Sequence, residues 1–334
     1  MKLKAPEHFT PDQKMEYYEV WENTKHYQYG ARGGWEKEKR NPILSEQYGV
    51  IFDVSIMKED GLYKMWLSWR TRKGLGYSES RDGLHWSEPV SILDPVPGSD
   101  WEADELSRPS VLKKNGKYLM WYCGSIKPYM EDGTTLIGMA ESEDGLHWTR
   151  LNGGRPLFGF TQEWEDHAVM CPHVVYEEEN GLFKMWYSGG NNHEPVAIGY
   201  AVSRDGLHWE KYAQNPVLTP DPAYIWEQHK VCGCHVMKDK DWYYMFYIGH
   251  LHEERAQVGL ARSRDGITGW EKHPENPIIA PDAGSWDGLS VYKPYVLKDG
   301  DRWVMWYNGA CYDEKIWCVE QIGLAYHEGD DLGF

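Results

Sequence analysis

The sequence has few phenylalanines and no long apolar run, and both absences narrow the class of protein. Only 7 of its 334 residues are Phe, against 23 Tyr and 18 Trp. Aromatic rings with a polar edge suit half-buried β-sheet faces, and they also suit surfaces that stack against sugars. Because no apolar run reaches about 18 residues, the sequence predicts no membrane-spanning segment.

Positive charge is scarce as well. The chain has 35 Lys and Arg against 52 Asp and Glu, a formal net charge of −17. Without a basic stripe, which the sequence lacks, we expect no nucleic-acid partner. Six irregularly spaced cysteines are typical of reduced thiols rather than of a disulfide framework. The first stretch, MKLKAPEHFTPDQK, lacks the apolar segment of a signal peptide, so we expect a cytoplasmic protein.

Repetition is what the sequence has in abundance. SRDGLHW at 80–86 returns as SEDGLHW at 142–148, SRDGLHW at 203–209 and SRDGITGW at 263–270, at intervals of roughly 60 residues. Each copy follows an apolar strand, an aromatic strand of the YKMWYSG type and a third strand, joined by turns such as Asn-Gly that favour hairpins. Five such units and no helical period predict an all-β fold, a five-bladed β-propeller with about four antiparallel strands per blade.

The fifth unit stops after its third strand, and its missing fourth strand stands near the N-terminus. GGWEKEKRNPIL at 33–44 matches LHWEKYAQNPVL at 207–218 and GWEKHPENPIIA at 269–280. We therefore expect this segment to pair with the last blade and close the ring, which protects the strand edges. Residues 31–334 are predicted to form one propeller domain, and residues 1–30 an N-terminal arm or cap.

The innermost strands of a propeller converge on its axis, and aligning them defines three polar layers. The first layer is Asp53, Arg108, Cys171, Gly233 and Lys293. The second, two residues further on, is Ser55, Ser110, His173, His235 and Tyr295. The third, four residues before the first, is Gly49, Asp104, His167, His229 and Leu289. Because residues at even spacing share one face of a strand, all three layers are predicted to face the axial channel. Polar side chains there need partners or a ligand.

Residues that break the repeat are the better candidates for chemistry. Asp53 is the only acid in its layer, and Glu105 follows another acid just before Arg108. Asp166 is an extra acid beside a histidine, and Arg70 replaces the small residue that ends other second strands. Four Trp-acid pairs recur and are interpreted as architectural: Trp101-Glu102, Trp164-Glu165, Trp226-Glu227 and Trp286-Asp287.

The SxDGxxW phrases, the NPVL phrase, the YKMWYSG strands and the early strand acid resemble the five-bladed glycoside hydrolase superfamily of families 43, 32, 68, 117 and 130. In families 43 and 32 an Asp just before a Pro on the first inner strand is the base or nucleophile. Asp53 in FDVS matches that place, although Val54 replaces the proline. The Glu that serves those families as general acid, two residues before a Pro on a later inner strand, is replaced here by Met170 or Cys232.

Glycoside cleavage needs a protonated acid and an ionised carboxylate on either side of the bond. We therefore predict a glycoside hydrolase for a small glycoside or oligosaccharide, with Asp53 as base or nucleophile and Glu105 or Asp166 as acid. His167 is the alternative acid that a likeness to family 117 implies. The predicted substrate-binding residues are Arg70, Asp104, Arg108, His167, His173, His229, His235, Lys293 and Tyr295.

Three alternatives stay open. A glycoside phosphorylase resembling family 130 needs one acid and a cationic phosphate pocket, which Arg108, Lys293 and Arg70 can supply. A sugar-binding propeller without catalysis is the second, because fold does not fix function. The third concerns the axial channel, where a divalent metal, calcium or zinc, could bind a pair such as His173 and His235. No other cofactor is expected.

Overall fold

The computed structural model describes residues 26–127, 134–190, 195–253, 255–313 and 317–334, and these form an all-β fold. The strands of the described chain, β1 to β20, are Trp35–Lys37, Ile51–Glu59, Leu62–Trp69, Gly74–Ser80, Val90–Leu93, Glu105–Lys114, Lys117–Ser125, Thr135–Ser142, Thr149–Arg150, Ala168–Glu177, Leu182–Gly190, Pro195–Ser203, Trp209–Lys211, Lys230–Asp239, Trp242–His252, Arg255–Ser263, Glu271–Lys272, Ser290–Asp299, Arg302–Asp313 and Trp317–Glu328. Short 3₁₀ helices lie at Glu46–Tyr48, Arg70–Arg72, Asn152–Gly154, Glu163–Glu165 and Ile225–Glu227. Within these ranges no helix has the length and apolar character needed to cross a membrane.

The strands form five antiparallel blades. Blades 1 to 4 are β2–β5, β6–β9, β10–β13 and β14–β17, and blade 5 combines β18, β19 and β20 with β1. One parallel pair, Ala168 with Thr135, joins blades 2 and 3. The first strands contact one another in a closed order, β2, β6, β10, β14, β18 and β2 again. The predicted five-bladed propeller with about four strands per blade is therefore confirmed.

The N-terminal strand closes the ring, as the repeated phrase predicted. β1 runs antiparallel to β20, with Trp35 opposite His327. The Asn41 side chain donates to the Leu324 carbonyl at 2.9 Å and accepts from the Leu324 N–H at 2.8 Å. Asn215 makes the same pair of bonds to the third strand of blade 3. The NP phrase at the start of the chain thus performs in blade 5 the task that its copies perform elsewhere.

The acids of the Trp-acid pairs are buried anchors inside four of the blades, 2 to 5. Each acid accepts a hydrogen bond from a tyrosine on the second strand of its own blade. Each also pairs with a cation on the fourth strand, the four pairs being Glu102–Arg150, Glu165–Lys211, Glu227–Lys272 and Asp287–Lys37. Because Lys37 belongs to β1, the N-terminal strand supplies the cation that blade 5 would otherwise lack.

A tryptophan on the second strand links each blade to the next. Its indole N–H donates to a glycine carbonyl in the Asp-Gly turn of the following blade, in the pairs Trp66–Gly145, Trp121–Gly206, Trp186–Gly266 and Trp306–Gly83. Blade 4 has Phe246 at this position. Blade 5, which follows it, has no Asp-Gly-His-Trp phrase and hence no turn carbonyl for an indole to bind. The replacement of this tryptophan by Phe246 in blade 4 therefore matches the missing turn phrase of blade 5.

Residues 26–30, the end of the predicted arm, lie against blades 4 and 5; residues 1–25 fall outside the described chain. Tyr27 Oη is 3.0 Å from His252 Nε2, and the Arg255 guanidinium lies 4.2 Å from the centre of the Tyr27 ring. Arg255 also donates to the Gln28 carbonyl at 2.9 Å. Arg255 is buried and thereby fixes the path of this segment.

Candidate active site

A β-bulge lies at the same point of every innermost strand. In blade 1 the pairing of β2 with β3 shifts between Phe52 and Ser55, and equivalent shifts occur in the other four blades. One residue in each bulge has a left-handed φ between 48° and 56°, and these five residues are Asp53, Arg108, Cys171, Gly233 and Lys293. They are the first layer of the sequence alignment. This conformation is unfavourable for residues with a side chain and tends to occur at functional sites.

Side chains of the preceding blade bind the backbone of these bulges. Ser68 Oγ accepts a hydrogen bond from Arg108 N at 2.7 Å, and Ser188 Oγ accepts one from Gly233 N at 2.8 Å. In blade 5 the equivalent residue is Asn308, whose Oδ1 accepts from the N–H of Asp53 at 3.0 Å. The bulges are therefore built into the contact between neighbouring blades.

Bulge residues form the floor of a cavity of about 500 Å³, a size that suits a small saccharide. Four of the five line it, all except Gly233. The walls come mainly from blades 4, 5 and 1. The charged side chains that line the cavity are Glu46, Asp53, Arg70, Arg108, Glu253, Lys293 and Glu320.

Asp53 is the carboxylate at the floor of this cavity. It is 3% exposed. Asn308 Nδ2 donates to its Oδ1 at 2.6 Å, and Arg108 Nε lies 3.4 Å from its Oδ2. Because Asn308 also accepts from the Asp53 N–H, one amide fixes both the backbone and the carboxylate of this residue.

Arg70 organises two more carboxyl groups at the cavity edge. Its Nη1 donates to Glu320 Oε2 at 2.6 Å, and its Nε lies 3.6 Å from Glu105 Oε1. The Tyr292 hydroxyl donates to the other oxygen of Glu320. Burial raises the pKa of Glu105, and the charges of Arg70 and Arg108 only partly oppose that rise. Glu105 thus has the environment of a proton donor, whereas Glu320 is held as a hydrogen-bond acceptor.

Of the predicted site residues, Asp53, Arg70, Arg108 and Lys293 line the cavity. Glu105 contacts Arg70 but is not part of the lining.

Gly49 and Leu289 of the third layer line the cavity, whereas its polar members, Asp104, His167 and His229, do not. Asp104 pairs with Lys73. Asp166 is 60% exposed, with its Oδ1 3.0 Å from His167 Nδ1. His229 Nε2 lies 3.4 Å from a carboxylate oxygen of Glu253, which does line the cavity.

The second layer joins the blades below the cavity instead of facing it. His173 Nε2 lies 2.7 Å from the Val236 carbonyl oxygen of the next blade, and Ser110 Oγ accepts from Val174 N at 2.9 Å. The ring centres of His173 and His235, and of His235 and Tyr295, are 4.3 Å apart. None of these three rings lines the cavity. The assumed alternation of side chains fails at the bulge, and this corrects the prediction that all layers share one face.

The same two histidines were the suggested metal ligands. Burial lowers the pKa of His173 to about 3 and that of His235 well below its usual value, so both rings are neutral. His173 Nε2 is already bound to a backbone carbonyl. No group of three or more His, Cys, Asp or Glu side chains in the described residues is arranged to hold a metal ion. These residues do not fit a calcium or zinc site.

Sequence reasoning missed Glu320 and Asn308. Glu320 lies on the third strand of blade 5, whereas the predicted site residues come from the first strands and the ends of the second strands. Its signal was available, because the aligned residues of the other blades are Lys73, Thr135, Val196 and Ala256, none of them acidic. Met170, at the place where the resembled families have an acid, is an apolar part of the cavity wall.

The fold and its axial cavity define a five-bladed propeller of the glycoside hydrolase type. The model of Glycosyl hydrolases family 43 matches residues 39–320. The chain therefore belongs to family 43, which confirms the resemblance to this superfamily.

The chain is also similar to individual proteins and to solved structures. The uncharacterized protein Rv1502 of Mycobacterium tuberculosis (strain ATCC 25618 / H37Rv) is 28% identical over 260 residues, which are 71% of this chain and 83% of that protein. A β-1,2-mannobiose phosphorylase of Thermoanaerobacter sp. (strain X514) is 29% identical over 126 residues, 33% of this chain and 40% of that one. A solved structure described as a glycoside hydrolase superposes with a TM-score of 0.71 at 18% identity, over 94% of this chain and 96% of its own, and so shares the fold.

Proposed function

We propose that the protein is a glycosidase that cleaves a small glycoside or a short oligosaccharide in the axial cavity. The observation that carries the proposal is the position of Asp53, a buried carboxylate on the cavity floor whose two oxygens are held by Asn308 and Arg108. Membership of family 43 supports a carbohydrate substrate.

In the proposed reaction Asp53 acts at the anomeric carbon, either on a water molecule or directly. The leaving oxygen takes its proton from a carboxylic acid on the other side of the bond. We assign that proton to Glu105, because burial raises its pKa and because Arg70 connects it to the cavity. Asp166 does not line the cavity either, but it is 60% exposed and pairs with His167 instead of a lining residue, so it has no part in the proposed reaction.

The test of Asp53 is hydrolysis of aryl furanosides and pyranosides by the wild type and by Asp53→Asn. We expect the variant to lose about 10³-fold in kcat/KM, the range typical of a missing catalytic acid or base. Asp60→Asn, in an exposed turn that also has a left-handed φ, is the matched control and should keep full activity. If the wild type binds sugars but turns over none of the substrates, the protein is a sugar-binding propeller instead.

The test of Glu105 uses leaving groups of different quality. A 2,4-dinitrophenyl leaving group departs without a proton, whereas an alkyl group needs one. Glu105→Gln is therefore expected to cleave dinitrophenyl glycosides almost normally and alkyl glycosides poorly. If Glu320→Gln shows that selectivity and Glu105→Gln does not, the proton comes from Glu320.

Phosphorolysis is the second candidate function, favoured by the three cations Arg70, Arg108 and Lys293 in one cavity. In that reaction a phosphate oxygen forms the bond to the anomeric carbon while the glycosidic bond breaks and its oxygen takes the acid's proton. The partial match to a β-1,2-mannobiose phosphorylase adds support. Turnover that requires inorganic phosphate and yields a sugar 1-phosphate would replace hydrolysis by this reaction.

A further inference from the structure

Lys293 is a buried cation at the cavity floor without a carboxylate partner in the described chain. The residue is 6% exposed and lines the cavity. Among the described residues, its Nζ makes a single hydrogen bond, to the Cys234 carbonyl at 3.5 Å. Lysine is almost never buried in proteins unless it is paired. The other two cations of the cavity are paired, Arg70 with Glu320 and Arg108 with Asp53.

The fold makes room for the Lys293 side chain. A Cβ at Gly233 in the neighbouring blade would lie 3.3 Å from Lys293 Cδ and 2.4 Å from Ile248 Cδ1. Gly233 also has the left-handed φ of its layer, +48°, which glycine adopts without strain. The lysine stem therefore passes over a position that has no side chain.

The thiols and imidazole nearest the ammonium are uncharged. Burial raises the pKa of Cys234 to about 12 although Lys293 opposes the rise, and burial together with Lys293 lowers the pKa of His173 to about 3. Burial likewise raises the pKa of the Cys171 thiol. Neutral thiols and imidazoles cannot balance the lysine charge, and Asp53, the carboxylate of the same layer, is paired with Arg108. The charge of Lys293 is therefore open to balance by an anion of the ligand.

We propose that Lys293 binds an oxyanion of the ligand at the floor of the axial cavity. The oxyanion has two sources, the carboxylate or phosphate group of an acidic sugar, or inorganic phosphate that enters with a neutral sugar. Lys293 belongs to blade 5, next to the blade that carries Asp53, so the anion lies close to the reacting carbon. The inference rests on the proposed function, because it takes the ligand of this cavity to be a sugar.

The experiment measures binding by calorimetry to glucuronate, galacturonate, glucose 6-phosphate, glucose, galactose and inorganic phosphate. We expect the wild type to bind at least one acidic sugar, or inorganic phosphate, at least 10-fold more tightly than the neutral sugars. Lys293→Met keeps the length of the side chain without its charge, and should lose this preference but not the affinity for neutral sugars. Lys293→Arg should keep the preference for anions. Lys240→Met, which replaces an exposed lysine, is the control and should bind like the wild type.

The two sources give different results. Phosphate-independent turnover of an acidic glycoside assigns the anion to the sugar, whereas binding of inorganic phosphate with phosphate-dependent turnover assigns it to the co-substrate. Equal wild-type affinity for acidic and neutral sugars without phosphate binding overturns the proposal, whether or not any variant folds. A preference for anions that Lys293→Met leaves unchanged also overturns it.

Asp53→Asn separates this inference from the proposed function. Suppose that Asp53→Asn still prefers anions, that this preference depends on Lys293, and that the wild type shows no turnover. The anion site is then supported, and the glycosidase proposal is wrong. If the wild type cleaves neutral glycosides and Lys293→Met cleaves them equally well, the glycosidase stands and the anion site is removed.

Discussion

At the residue scale, the bulge of blade 1 differs from those of blades 2 and 4 in its partner, which is the amide side chain of Asn308 instead of a serine. Ser68, Ser188 and Asn308 all accept a hydrogen bond from the bulge of the next blade. Only Asn308, of these three, also donates to a carboxylate. In the proposed reaction this second bond orients the Asp53 carboxylate toward the substrate.

Asn308→Ser tests this difference, because it retains the acceptor for the Asp53 N–H and removes the donor to Oδ1. A hydrogen bond to a charged group contributes about 1.5–3 kcal/mol, so we expect kcat/KM to fall roughly 10- to 100-fold. The lost bond also stabilises the folded protein, so we expect a lower melting temperature, and kcat/KM is compared at a temperature where both proteins stay folded. Unchanged kcat/KM would mean that Arg108 alone holds the carboxylate.

The buried histidines make stability depend on pH. His173 has a pKa of about 3 in the folded protein, whereas a free histidine has one of about 6.5. Between these values the unfolded chain binds a proton that the folded chain does not. The free energy of unfolding therefore falls as the pH drops below 6.5, and His173 accounts for about 2 kcal/mol of the loss between pH 7 and 5.

The measurement is urea denaturation at pH 7 and pH 5. His173→Gln should lose about 2 kcal/mol less than the wild type over this interval. His147→Gln, whose parent side chain is 90% exposed, should behave like the wild type. Identical pH dependence in all three proteins would show that His173 can take up a proton without unfolding.

At the scale of the element, β1 makes the contacts that any fourth strand of a blade makes. Lys37 Nζ lies 2.6 Å from Asp287 Oδ2, in the same arrangement as Lys211 with Glu165 in blade 3. The position of a segment in the sequence therefore does not matter to the blade, provided that the same side chains arrive on the same edge.

Removing the cation from Asp287 should be costly. Lys37→Met leaves a fully buried carboxylate without its charge partner, and we expect a loss of about 3 kcal/mol in the free energy of unfolding. Lys211→Met should cost a similar amount, and Lys39→Met, on the exposed side of the same segment, almost nothing. A Lys37→Met protein as stable as the wild type would show that β1 is dispensable for blade 5.

The strands could be predicted from the sequence, but the path of the innermost ones could not. The blade pattern depends on hydrophobic alternation and on turn residues, which are local signals. The bulges depend on contacts from the preceding blade, such as Ser68 with Arg108, which alignment of one strand does not reveal. For this reason Asp53 lines the cavity, whereas His173 and Tyr295, which the alignment also predicts there, do not.

At the scale of the whole molecule, the sequence predicted a ring but not which side of the ring would line the cavity. Five similar units imply five similar walls, yet the lining comes mostly from blades 4, 5 and 1. Glu320 and Tyr292 belong to this asymmetry. The asymmetry arises from single substitutions, such as Glu320 where the other blades have an uncharged or basic residue. A prediction from the common features of the repeat does not include such differences.

Deleting residues 1–44 should open the ring. The deletion removes β1 together with two core side chains, Trp35 and Leu44, and leaves the edge of β20 unpaired. Unpaired edges recruit other chains, so we expect a lower melting temperature and a larger mass in light scattering than for a protein that lacks only residues 1–25. A shortened chain that stays monomeric with an unchanged melting temperature would contradict the role of β1.

The pairing of β1 with β20 also sets the order of events during synthesis. About 280 residues separate Trp35 from the strand that covers it, Trp317–Glu328, so Trp35 leaves the ribosome well before its partner strand is made. At ordinary translation rates the wait is on the order of tens of seconds. During that time blades 1 to 4 are free to fold while the Trp35 side chain stays uncovered, so the newborn chain exposes this apolar group until β20 emerges.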